Sequence, residues 1–140
     1  MSHLLPQASG IPAPRPSLHA QAYWEGCLRH ELLYQRCPEC SACALGASTV
    51  CAHCHASSPV WEPSSGKGSL YSWTVVWRPP DPSFRTPYAP AVVLLDEGAW
   101  MLSAIIGCEP EALHEGLRLR VEFHPVSEGI TLPYFTPVVD

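Results

Sequence analysis

The chain has 140 residues, sixteen prolines, seven cysteines and a formal net charge of −5, with eight Lys and Arg against thirteen Asp and Glu. Such a length carries one hydrophobic core, or a small metal module beside one compact domain. The missing basic excess, with Lys67 the sole lysine, argues against a protein whose main business is nucleic acid.

Residues 1–16 hold Pro6, Pro12, Pro14 and Pro16 among Ser and Gly, which predicts a flexible or extended lead-in. A short helix follows, with Ser17 as N-cap and Ala20, Tyr23, Trp24, Cys27 and Leu28 at helical spacing. A helix this short needs a packing partner for its aromatic face. Leu32–Arg36 reads as a strand running into the first cysteine turn.

Cys37-Pro38-Glu39-Cys40 and Cys51-Ala52-His53-Cys54 are the strongest chemical signal. Two residues between thiolates let a tight turn aim both sulfurs at one point. Two such turns on a hairpin make a tetrahedral thiolate cage that suits structural Zn2+ and leaves no position for substrate. The ion would supply the stability that so small a module cannot gain by burial. Cys43 adds a Cys-x2-Cys-x2-Cys run with Cys37 and Cys40, an iron–sulfur spacing whose following Cys-Pro is missing. His53 and His55 are further candidate ligands, read as bystanders beside thiolates already in place. Paired spacings and an odd cysteine count favour a reducing compartment, the cytoplasm, over a disulfide framework. The N-terminus lacks the pattern of a signal peptide. The apolar region 91–106 is broken by Asp96-Glu97-Gly98, so no segment is expected to span a membrane.

Glu62–Gly68 reads as a linker into an all-β domain. Strands are expected over Ser69–Trp77, Ala91–Leu95, Trp100–Ile106 and Leu117–Phe123. The second and third are joined by a turn at Asp96-Glu97-Gly98. A short helix or turn falls at Glu109–His114, and a last strand over Ile130–Val139 is assigned to an edge because of Pro133 and Pro137. This order is that of a five-stranded OB barrel, and it also fits other small β barrels. The fold expected is therefore mainly β: a lead-in over 1–16, a helix plus rubredoxin-like zinc ribbon over 17–62, and an OB-fold domain over 63–140. The loop Arg78–Pro90, with five prolines around Phe84, Arg85 and Tyr88, is stiffened either for binding or as a passive cover. Cys108 with His114 or His124, and Asp96 with Glu97, make no convincing catalytic pair; a buried inert thiol and solvated turn carboxylates are the plainer readings.

An ordered set of segments carries a resemblance: Tyr23-Trp24-Glu25-Gly26, Leu33–Cys37 with Cys40, Cys51 with Cys54, Gly66–Val76, Pro87-Tyr88, Leu95–Gly98, Gly107–Pro110, Gly116 and Pro133–Phe135. From about Tyr23 to Val138 the chain resembles bacterial and archaeal proteins in which a rubredoxin-like zinc ribbon precedes an OB fold. That family was long carried as a domain of unknown function and later tied to acyl-CoA metabolism. Ser41 and His55 stand where the family often has glycine, and Leu45–Ser48 where it often has Pro-Pro-Arg.

The resemblance implies a non-catalytic scaffold subunit in a hetero-oligomer with thiolase-like or ketosynthase-like enzymes. Such a subunit would bridge or position acyl-CoA or acyl substrates, in acylation of a phenolic product such as an acylphloroglucinol or in CoA-ester degradation. On that reading Tyr23, Trp24, Phe84 and Tyr88 contact the partner, and Arg78 or Arg85 meets CoA phosphates. The alternative is a nucleic-acid-binding zinc-ribbon and OB module, which would need a basic groove beside its aromatics.

Overall fold

Apolar alternation along single strands builds the barrel seen in a computed structural model that describes residues 3–139. Met1 and Ser2 of the expected lead-in, and Asp140 of the expected barrel, lie outside the described residues. Ala89, Ala91, Val93 and Leu95 of β5 (Ala89–Leu95) point inward and are buried, with half-buried residues between them. The other barrel strands are β4 (Lys67–Trp73), β6 (Trp100–Ile105), β7 (Arg118–Ser127) and β8 (Ile130–Pro137). They close in the order β4-β5-β6-β8-β7, with β7 returning to β4. A 3-10 turn at Pro110–Ala112 connects β6 to β7. This is the expected five-stranded OB topology.

The last strand is not at an edge, contrary to the expectation from its prolines. β8 lies between β6 and β7 and pairs with β7 along most of its length. Along a strand the N–H and C=O of one residue point the same way. The Pro133 carbonyl accepts the Ser103 hydroxyl of β6 at 3.1 Å, so its missing N–H also faces β6. There the ladder is the single parallel pair Ile105↔Phe135. Proline is tolerated inside the barrel because it sits where the seam is already open.

Upstream, a 3-10 turn (Leu18–Ala20) leads into α1 (Gln21–Leu28). Ser17 stands extended at the start, but its side chain makes no capping bond. Gly26 gives room for the turn that follows the helix. A Cβ there would lie 2.8 Å from the Glu31 carbonyl and 3.1 Å from Leu33. The ribbon is a three-stranded sheet, β2 (Cys43–Ala44), β1 (Leu33–Arg36) and β3 (Val60–Pro63), with β1 central.

The expected linker shrinks to Ser64–Gly66, because Glu62 and Pro63 belong to β3 and Lys67 and Gly68 to β4. Gly66 has φ +77°, and a Cβ on it would meet Val121 at 2.6 Å, so only glycine fits this crossing. Leu32, ahead of β1, and Leu4, in the lead-in, pack in the same apolar cluster as Leu70, Val93, Leu95, Ile105, Leu119 and Phe135. One core therefore runs across the boundary expected between 62 and 63.

The lead-in is not loose over Leu4–Gln7. Leu4 is fully buried. Its N–H donates to the Cys108 carbonyl at 2.8 Å, and its carbonyl accepts the Gly107 N–H at 2.9 Å. Proline-rich composition encodes extension, and here one apolar side chain anchors the extended segment. Among the described residues no helix is long and apolar enough to cross a membrane.

Candidate functional site

Two matching turns bring four sulfurs together. In each, the N–H of the first cysteine donates to a carbonyl five residues on, Cys37 to Ala42 and Cys51 to Ala56, both at 2.8 Å. The N–H of the residue after each pair returns to the first cysteine's carbonyl, Ser41 to Cys37 and His55 to Cys51, both at 3.0 Å. Closing the turn needs a left-handed residue at that point, and Ser41 (φ 66°) and His55 (φ 65°) supply it. A glycine at either point would do so without strain.

The four Sγ atoms of Cys37, Cys40, Cys51 and Cys54 all lie within 4.8 Å of one another. Cys37 is 3.5 Å from Cys54, and Cys40 is 3.7 Å from Cys51. A tetrahedral ion with metal–sulfur bonds of about 2.3 Å requires sulfurs about 3.8 Å apart, so the donor set fits a metal. The N–H groups of Cys54 and His53 point at the Cys51 sulfur and favour its thiolate, while Cys40 and Cys54, crowded by the other sulfurs, are pushed up; a bound cation is what would hold all four as thiolates. Cys43 is outside the cluster. Its thiol donates to the Glu97 carbonyl at 3.2 Å, on the barrel side of the ribbon. Neither His53 nor His55 joins the four-sulfur group.

One turn carboxylate fastens the ribbon to the barrel, and its neighbour braces the barrel itself. Glu97 accepts the Ser64 hydroxyl at 2.7 Å and the Ser65 N–H at 2.8 Å. These bonds outweigh its burial and hold its carboxyl below the usual range. Asp96 takes a two-pronged ion pair from Arg118 at 2.9 and 2.8 Å. Within the ribbon, Glu62 accepts from both the Tyr34 hydroxyl and the Arg36 guanidinium, which also reaches the Ser41 carbonyl at 2.9 Å. The metal turns are thereby braced against β3 and, through Ser64, against the barrel.

The structure brings Tyr23, Trp24, Phe84 and Tyr88 to one place. All four are half-buried and line a cleft of about 430 Å³. Its floor is the open β6–β8 seam, from Ser103 to Ile106 and from Leu132 to Tyr134, with the exposed Leu102 at its rim. The α1 helix forms one wall. The proline loop and the lead-in residues Leu5, Gln7 and Ile11 form the rest. Gln7 clamps the two latter walls together: its side-chain amide exchanges two hydrogen bonds with the Arg85 backbone, and its own N–H donates to the Tyr134 hydroxyl at 3.1 Å. Burial raises both the Tyr23 and Tyr134 phenols, and beside Tyr23 burial pushes the Cys27 thiol up to about 11. These are inert groups at neutral pH.

The two arginines expected at CoA are not brought together with the cleft. Arg78 is exposed and does not line it. Arg85 is exposed and spends one guanidinium N–H on the Pro6 carbonyl at 2.9 Å.

No described residue set resembles a nucleophile with its base. Burial, then the charge of Glu109, raises the Cys108 thiol, the opposite of activation. The His124 ring meets Glu122 at 2.8 Å, and the His114 ring meets the Glu115 carbonyl. Arg118 and Arg120 of β7 are paired with Asp96 and Glu122, so that strand offers no continuous basic track.

One surface escaped the sequence reading. Tyr71, Trp73, Trp100 and Leu102 stand exposed on the outer face of β4 and β6, with the Tyr71 and Trp100 rings edge-to-face at 4.6 Å. The signal was present: Trp100-Met101-Leu102 is apolar on both faces of its strand, and a strand that faces water on one side should alternate.

The family model of the ChsH2 C-terminal OB-fold domain matches residues 61–124. A DUF35 domain-containing scaffold protein of Methanothermobacter thermautotrophicus is 31% identical over 103 residues, 71% of this chain and 77% of that protein. A probable enoyl-CoA hydratase alpha subunit of Thermomonospora curvata is 30% identical over 128 residues. That match spans 90% of this chain but only 40% of the subunit's length. A solved structure, described as the Ltp2-ChsH2(DUF35) aldolase, contains a chain similar to this one at TM-score 0.82 and 28% identity; the match covers 90% of this chain and 99% of that one.

Proposed function

The chain belongs to the DUF35 family of OB-fold proteins, and on that premise we propose that it is a non-catalytic companion subunit of an enzyme acting on acyl-CoA. The partner is a thiolase-like or ketosynthase-like chain that carries the catalytic residues. The observation that carries this reading is the likeness, across 90% of this chain and 99% of the other, to the chain in the Ltp2-ChsH2(DUF35) aldolase structure. The engaged state of the chain's own titratable groups supports it. Glu97, Asp96, Glu62 and Arg118 hold the fold together.

In this role the four cysteines hold Zn2+, which supplies a structural cross-link and no chemistry on substrate. The cluster fixes the ribbon; Glu97 and the shared core fix the ribbon to the barrel. The partner covers the exposed face of Tyr71, Trp73, Trp100 and Leu102 and reaches the mouth of the cleft formed by Tyr23, Trp24, Phe84 and Tyr88. An apolar aromatic face of this kind suits a lasting interface. Arg78, free of the cleft, is the better placed of the two arginines to meet phosphates.

Co-expression with a thiolase-like or ketosynthase-like enzyme of the same organism tests the proposal. A single hetero-oligomer on gel filtration is expected, with an enzyme that loses activity when this chain is withheld. Separate elution with a fully active enzyme would end it.

A further inference from the structure

The apolar cleft is a built cavity, and its walls define what it can take. None of its lining residues carries a charge, and five are aromatic: Tyr23, Trp24, Phe84, Tyr88 and Tyr134. Its polar groups are few, and three of them are already used. The Tyr134 hydroxyl accepts from Gln7, the Gln7 amide is paired with the Arg85 backbone, and the Ser103 hydroxyl is spent on Pro133. A charged occupant would lose hydration and find no opposite charge in the lining, a heavy cost. An apolar occupant would bury its surface against the walls and floor. The volume of about 430 Å³ falls within the range of small-molecule sites, roughly 300–1,000 Å³.

Three features of the sequence combine to open it. Pro133 sits on the β6–β8 seam, where the ladder is the single pair Ile105↔Phe135 and the floor is without a continuous sheet. Ala104, small and half-buried on that floor, leaves depth. The lead-in, anchored by Leu4 and locked to the loop through Gln7, closes one side. Exposed aromatic surface alone would specify no occupant, but a concave, uncharged and largely apolar lining specifies the chemistry of one.

We propose that this cleft receives the apolar acyl portion of a thioester substrate, and that the CoA phosphates stay outside it. The inference rests on the companion-subunit reading for the identity of the ligand, and on the cleft alone for its chemistry. The companion would then present the acyl group itself, beyond bracing the enzyme.

The test uses the full-length metal-loaded chain without its partner. N-phenyl-1-naphthylamine, an uncharged fluorophore, is titrated into the protein and then displaced by CoA, butyryl-CoA, hexanoyl-CoA and octanoyl-CoA. One saturable site per chain is expected. Displacement should strengthen by roughly tenfold for each two added methylenes, and free CoA should displace nothing at the same concentrations. Ala104→Phe fills the floor and Trp24→Ala removes a wall; each should weaken fluorophore binding at least tenfold. Val60→Ser, on the exposed face of β3, should leave it unchanged. Equal displacement by CoA and octanoyl-CoA overturns the proposal, as does unaltered binding in both cleft variants. Absence of saturable binding overturns it too, and leaves the cleft to side chains of the partner protein. Because no partner is present, these outcomes stand apart from co-elution, which tests the companion reading by itself.

Discussion

Gln7 and Arg85, 78 positions apart, are joined by a reciprocal pair of hydrogen bonds. The Arg85 N–H donates to Gln7 Oε1 at 2.7 Å, and Gln7 Nε2 donates to the Arg85 carbonyl at 2.9 Å. A side-chain amide here imitates a strand partner and holds the lead-in against the proline loop. Gln7→Ala removes both bonds and should cost about 1–2 kcal/mol in total, since each exposed neutral bond is worth about 1. Thermal melting should show a fall of several degrees, with faster hydrogen exchange at Phe84 and Arg85. An unchanged exchange rate there would mean that the prolines alone hold the loop.

Cys43 and Cys51 separate the two kinds of cysteine. Cys51 belongs to the four-sulfur group, whereas Cys43 donates to the Glu97 carbonyl. Cys51→Ser should abolish stoichiometric metal, measured by elemental analysis, and unfold the ribbon. Cys43→Ser should keep the metal, because a hydroxyl can donate in the same place. Loss of metal in the Cys43 variant would return that residue to the ligand set.

Ser41 and His55 sit in left-handed conformations that suit glycine. Ser41→Gly and His55→Gly should each gain roughly 0.5–1 kcal/mol, the relief of strain less the added freedom of the unfolded chain. A chelator competition should show slower metal loss in both variants. Faster loss would show that the two side chains brace the turns in a way that outweighs the strain.

Asp96 ties acid stability to Arg118. The guanidinium bond holds the Asp96 carboxyl below its ordinary range. A folded value below the unfolded one means that the stabilisation is complete above the unfolded value, near pH ~4. It is lost as pH falls through the lower folded value. Urea midpoints should show Asp96→Asn less stable than the parent at pH 7, with the gap closing toward pH 3. A gap that stays constant with pH would remove the ion pair from the account.

Much of this was legible in the chain because local chemistry carried it. The cysteine pairs announce their turns, and the strand order announces the barrel. Tyr23, Trp24, Phe84 and Tyr88 could be chosen as contact residues, though not as walls of one cleft. Their meeting depends on the open seam at Pro133 and on the Gln7 bonds, both long-range. Proline misled at β8. It reports a missing N–H and a fixed φ, but not which neighbour the missing donor would have faced. In β8 that neighbour was a gap; in the lead-in the prolines kept extended a segment that Leu4 anchors. The face of Tyr71, Trp73, Trp100 and Leu102 was visible in the unbroken apolar run of β6, and a reading in terms of core alone passes over it.

Leu102 and Trp100 are exposed at 77% and 51%, so changing them should leave the fold intact. The most direct test of the central claim is gel filtration of the co-expressed thiolase-like or ketosynthase-like enzyme with either the parent chain or Trp100→Asp/Leu102→Asp. The account expects one hetero-oligomer with the parent chain, and separate elution with the double variant, which should melt as the parent does and keep its metal. Co-elution of the variant with full enzyme activity would contradict the proposed docking face. Separate elution of the parent chain from a fully active enzyme would contradict the companion role itself.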